Sequence, residues 1–111
     1  MVRIKKKIIS LSANSSWYLY NFRASTIKSL IENNFKVICL VPNDSYLKKL
    51  EILGCECYKI NINPKGQNPL SDFFLCIQFF YFYFRLKPSV ALHFTIKNNI
   101  YGTFGAYLAN V

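Results

Sequence analysis

A chain of 111 residues supports one domain with one ordinary core, and a hydrophobic content of 52% excludes a disordered tail. The formal net charge of +9 suits phosphate-bearing partners, yet Ile, Lys, Asn, Phe and Tyr share AT-rich codons, so charge alone selects no ligand. The cysteines Cys39, Cys55, Cys57 and Cys76 form no CxxC pair and have no histidine at zinc spacing, which excludes a zinc module and favours reduced, packed thiols in the cytosol.

In chain order, a basic run precedes Ile8-Ile9-Ser10-Leu11, an apolar stretch too short for a signal peptide. Residues 6–12 therefore read as a first buried strand. Residues 19–33 carry Leu19, Phe22, Ile27, Leu30 and Ile31 at helical spacing. Residues 36–41 are a second strand closed by Pro42. Asp44 or Ser45 caps a helix that ends at Gly54, and residues 56–60 make a third strand. A loop with Pro64, Gly66 and Pro69 leads to a third helix over 70–86, a fourth strand over 90–94 and a last helix over 99–110.

This alternation predicts an α/β fold: a Rossmann-like, doubly wound parallel sheet of about four strands in the order 3-2-1-4. Ligands of such sheets bind at the carboxyl ends of the strands flanking the point where the winding reverses. Here those ends lead into residues 13–21 and 95–99, which should therefore meet.

The first of these segments reads Asn14-Ser15-Ser16-Trp17-Tyr18-Leu19-Tyr20-Asn21-Phe22-Arg23. Aromatic faces beside hydroxyls and amides suit a sugar, and Arg23, expected in the first helical turn, suits a bound phosphate. The competing reading packs these aromatics beneath the loop and leaves Arg23 a surface charge. There is no GxGxxG fingerprint and no Walker loop, so no nucleotide cofactor is expected, and no metal. The second segment is His93-Phe94-Thr95-Ile96-Lys97-Asn98-Asn99. His93 is a catalytic candidate or a satisfied core histidine. Lys97, beside a helix start, is a phosphate ligand or a plain surface lysine. Lys65, in the third loop, lies within reach of the same crevice.

The third helix is apolar nearly all round, from Phe73 through Phe84. It is shorter than the ~20 residues that span a bilayer. Its spare aromatics are expected to meet an anionic membrane surface in preference to another protein surface, with Phe79, Phe82 and Tyr83 outward, Arg85 and Lys87 at the basic end, and Phe73, Ile77, Phe80 and Phe84 over the sheet. The basic residues are too dispersed for a nucleic-acid partner.

On the segments from Asn14 to Arg23, Lys65-Gly66-Gln67-Asn68-Pro69-Leu70, and His93 through Gly102, the sequence resembles the amino-terminal domain of family 4-like glycosyltransferases of GT-B architecture. The resemblance spans essentially the whole chain. It departs at Pro64, where relatives often carry a basic residue, at Asn98, where they often carry proline, and at Thr95, where many carry a second histidine. It implies that residues 1–111 are the acceptor side of a retaining enzyme that moves a sugar from a nucleotide donor to a polyprenyl-diphosphate-linked or other membrane glycan acceptor. It further implies an acceptor site drawn from Asn14, Ser15, Ser16, Trp17, Tyr20, Asn21, Arg23, Lys65, Thr95, Lys97 and Asn99, with His93 the catalytic candidate. A carboxyl-terminal donor domain would be absent, so the chain alone would be inactive and work with a separate donor-binding partner, peripherally at the inner face of the membrane. The competing expectations are a non-catalytic membrane adaptor and an inactive truncated product.

Overall fold

Four short apolar runs meet as one parallel sheet in the computed structural model, which describes residues 6–62, 69–95 and 97–111. The strands β1 (Ile8–Ser12), β2 (Lys36–Val41), β3 (Glu56–Lys59) and β4 (Val90–His93) stand in the order β3-β2-β1-β4, as the alternation predicts. The first strand is central: Ser10 lies opposite Ile38 and Ala91, and Ser12 opposite Leu40 and His93.

The connections are α1 (Ser16–Glu32), α2 (Leu47–Leu53) and α3 (Pro69–Leu86). After β4 a π-helical turn, Asn98–Gly102, runs directly into α4 (Thr103–Leu108). The first helix starts three residues earlier than its apolar spacing suggests. Ser15 is the reason: its side chain accepts a hydrogen bond from the Tyr18 N–H at 3.1 Å and caps the helix. Arg23 therefore sits two turns inside α1, away from its N-terminus. At the end of α2, Gly54 takes a left-handed conformation, φ 114°, that stops the helix.

Side-chain alternation divides the core between the two faces of the sheet. Ile9, Leu11, Val37, Cys39 and Val41 pack with Leu19, Ile27, Leu47 and Leu50 on the α1/α2 side. Leu40 and Ile60 pack with Leu75, Phe79, Tyr83 and Ala106 on the α3/α4 side. Ser10 and Ser12 are small and buried, which leaves room for the large ring of Tyr83.

The face of α3 is corrected. Phe79 and Tyr83, expected outside, are fully buried, and Phe82 packs against the same core. The exposed stripe is Leu70, Phe73, Phe74, Ile77, Tyr81 and Phe84, with Arg85 and Lys87 exposed at its end. Residues 73, 77 and 84 repeat at the same helical spacing as 75, 79 and 83, so where both stripes are apolar the period cannot tell them apart. Packing decides it. A Cβ on Gly105 of α4 would come within 2.6 Å of the Phe79 Cβ, so α4 lies flush on the Phe79 side of α3.

Candidate functional site

The two segments expected to meet do so. The Asn14 N–H donates to the Thr95 hydroxyl oxygen at 3.2 Å, across 81 residues of sequence. The Thr95 hydroxyl in turn donates to the Asn98 Oδ1 at 3.0 Å. Thr95 adopts φ 74°, a left-handed conformation rare for a β-branched residue, and its side chain thereby lies between the two loops. Asn98 is fully buried, and its Nδ2 has no hydrogen-bond acceptor among the described residues.

A third loop joins them at the same edge. Asp44 accepts from the Ser16 N–H at 2.7 Å and from the Tyr46 N–H at 2.9 Å, while the Ser16 hydroxyl donates to the Pro42 carbonyl at 3.3 Å. Ser15 and Ser16 are thus engaged in holding α1. One strand over, Pro42, Asn43, Ile60, Asn61, Ile62, Ser71 and Phe74 line an open depression of about 410 Å³.

Arg23 reaches back along α1 to the end of β4. Its guanidinium lies 4.6 Å from the centroid of the Phe94 ring and 5.9 Å from that of Tyr18, and it donates to the Tyr18 hydroxyl at 3.4 Å. Such stacking fixes a planar cation while leaving its edge N–H groups for an anion. Its buried Nε–H has no partner, and it forms no ion pair among the described residues.

His93 points the other way, into the α3 side of the sheet. Its Nε2 is 2.6 Å from the Tyr83 hydroxyl, and its ring meets Phe79 edge-on. Burial pushes the imidazole down to about 4, so it is neutral near pH 7. Burial pushes the Tyr83 hydroxyl up, against the opposing influence of Ser10 and Ser12, whose hydroxyls face it without completing a well-shaped bond. The core reading of His93 fits this geometry: the ring braces α3 against β4.

Lys97 is paired. Its Nζ lies 3.0 Å from the Asp72 Oδ1, each side chain 18% exposed, and the Tyr101 hydroxyl donates to the other Asp72 oxygen at 3.1 Å. These partners, the lysine foremost, hold the Asp72 carboxyl below its usual range, and Asp72 raises the Tyr101 hydroxyl. The remaining candidates divide. Asn14, Arg23 and Thr95 gather at the ends of β1 and β4. Tyr20 turns towards α2, where it packs on Tyr46 and Lys49. Trp17 is 46% exposed, and Asn21 is exposed with its amide donating to the Trp17 carbonyl. Asn99 is exposed, and Lys65 lies outside the described residues.

Sequence reasoning read Asp44 only as a helix cap and gave Asp72 no part in the site. Their scarcity is the signal that was available: the chain has only five acidic residues, and both of its aspartates bind loops at this edge.

No sequence model of a known protein family matches the chain. Among solved structures it is similar to MurG of Acinetobacter baumannii, with a TM-score of 0.75 and 16% identity over 95% of this chain and 33% of that one. It is also similar to a glycosyltransferase from Rickettsia africae, with a TM-score of 0.69 and 13% identity over 96% of this chain and 27% of the other.

The chain has the fold of a GT-B glycosyltransferase half-domain.

One curated relative of this half-domain is the N,N'-diacetylbacillosaminyl-diphospho-undecaprenol alpha-1,3-N-acetylgalactosaminyltransferase of Campylobacter jejuni, 27% identical over 97 residues. The match covers 84% of this chain and 25% of that enzyme, so the half-domain spans about a quarter of the relative's length. Among the described residues no cluster of potential metal ligands occurs, and no helix is long and apolar enough to cross a membrane.

Proposed function

We propose that the half-domain is the acceptor side of a retaining glycosyltransferase that moves a sugar from a nucleotide donor to a polyprenyl-diphosphate-linked glycan at an anionic membrane surface. A donor-binding domain, on the same or a separate polypeptide, completes the enzyme. The observation that carries this reading is Arg23: a guanidinium with no ion pair among the described residues, stacked on Phe94 at the end of β4, beside the joined Asn14 and Thr95. A diphosphate offers the oxygens such a fixed fork binds best. The curated relative acts, by its name, on an undecaprenol-diphosphate-linked sugar, which supports the same ligand class. The exposed aromatic stripe of α3, ending in Arg85 and Lys87, supports delivery at a lipid surface.

In this reading His93 orients the end of β4 from below and takes no proton from the acceptor. Asn14 and Thr95 fix the loops, and Trp17 offers an open apolar face to a sugar ring.

Trp17 is the sole tryptophan and lies on the same helix as Arg23, so its emission reports ligand directly. Titration with a short-chain polyprenyl diphosphate is expected to change that emission saturably. A charge-assisted contact is worth about 1.5–3 kcal/mol, so Arg23→Ala should weaken binding roughly tenfold or more. Equal affinity of wild type and a folded Arg23→Ala variant would sink the reading.

A further inference from the structure

Three of the four cysteines converge on one patch of the sheet, away from the crevice. Cys39 in β2 is the register partner of Cys57 in β3. Cys55 stands two residues before Cys57, and alternation along an extended chain turns both to one face. Cys39 and Cys55 belong to one packed cluster, with Cys57 against it. Cys39 and Cys55 are buried in the α1/α2 core, whereas Cys57 packs at its margin with its Sγ 3.9 Å from the Leu47 carbonyl oxygen. Cys57 also lines an open depression of about 680 Å³, whose rim carries Lys48 and Lys59 beside Asp44 and Glu51. Cys76 is on α3, across the sheet.

Three sulfurs thus cluster on one face of the sheet, two of them buried and Cys57 partly open to solvent. Neighbouring positions on paired strands lie about 4.8 Å apart, inside the 4.4–6.8 Å Cα separation that a disulfide bridges. Cys55 and Cys57 are two residue rises apart, about 6.6 Å, with side chains running parallel, which keeps their Cβ atoms too far apart for a bond.

We propose that this cluster is a thiol-oxidation site, with Cys57 as its entry point and a Cys39–Cys57 disulfide as its product. The oxidant is a low-molecular-weight disulfide. The Cys57 thiolate attacks one of its sulfurs, forming a mixed disulfide and expelling one thiolate. The Cys39 thiolate then attacks the Cys57 sulfur and expels the second. Two cysteine thiols are oxidised, one external disulfide is reduced to two thiols, and the two cysteine protons pass to the leaving groups. Hydrogen bonds to Cys55 and Cys57, then burial, push the Cys39 thiol up, so closure is the slow step and the mixed disulfide builds up first.

The test uses the full chain, folded and without denaturant, exposed to oxidised glutathione, then alkylated, digested and mapped by mass spectrometry. The expected result is a transient glutathione adduct on Cys57, followed by joined Cys39 and Cys57 peptides lacking two hydrogens. Cys55 and Cys76 remain alkylated. Cys57→Ser should lose both the adduct and the bond. Four free thiols, an adduct that never resolves, or any other pairing in the folded wild type overturns the proposal.

Discussion

The Tyr83 hydroxyl and the His93 Nε2 meet at 2.6 Å, and this contact joins the last turn of α3 to the end of β4. It seats His93 against the α3 side of the sheet, where burial keeps the imidazole neutral near pH 7. Because the chain has one histidine, a single imidazole resonance reports it, and its titration midpoint is expected near 4. The folded value lies below the 6.5 of an unperturbed histidine, so the unfolded chain takes up its proton first as pH falls. Stability from this group is therefore whole above about pH 6.5, declines towards pH 4 and then levels off. The total loss is at most about 3 kcal/mol, and less because the ring is only partly buried. A midpoint near 6.5 in the folded protein would contradict the arrangement.

Gly102 lies directly over that ring. A Cβ there would stand 2.4 Å from the His93 Cδ2, and the ring is held from behind by Tyr83. Gly102→Ala should destabilise the fold by about 1–3 kcal/mol in urea unfolding. Combining it with His93→Ala should cost less than the sum of the two single changes. Strict additivity would show that the ring moves aside freely.

Thr95 stores strain and makes two hydrogen bonds at the junction of the loops. Thr95→Val keeps the shape and removes the hydroxyl, leaving the Asn14 N–H and the Asn98 Oδ1 without this partner. A loss of about 1–3 kcal/mol is expected by thermal or urea unfolding. Thr95→Asn, which tolerates the left-handed backbone and retains an acceptor oxygen, should cost less. If both variants unfold at the same denaturant concentration, backbone conformation plays no part at this position.

The two stripes of α3 have opposite roles, and mutation separates them. Phe79→Ala removes a fully buried ring and should cost about 3–5 kcal/mol, enough to unfold a marginal domain. Phe73→Ser with Ile77→Ser and Phe84→Ser changes only exposed positions and should leave the fold intact. In liposome flotation, wild type should float with anionic vesicles and less with neutral ones, whereas the triple variant should stay below. A folded wild type that ignores anionic vesicles would remove the membrane from the proposal.

Fold and site differ in how far the chain discloses them, for physical reasons. Strand order follows from connection chirality, and the meeting of Asn14 with Thr95 follows from strand order. Local competition hides more. Ser15 as a cap moved the start of α1 and carried Arg23 away from the helix end, where it stacks on a ring 71 positions downstream in the numbering. The partner of Lys97 is an aspartate 25 residues earlier, beyond any helical spacing. The face of α3 depends on where Gly105 lets α4 approach, and no period within α3 carries that information.

The Asn14–Thr95 bond also has a consequence for the route to the native state. The strand β4 joins β1 only after a loop of 81 residues has closed, whereas β1, β2 and β3 assemble from near neighbours. Until β4 docks, Tyr83 lacks its histidine and α3 lacks part of its seat on the sheet. A newly made chain is most exposed to self-association at that stage, and dilute, cool refolding should recover more protein than concentrated refolding.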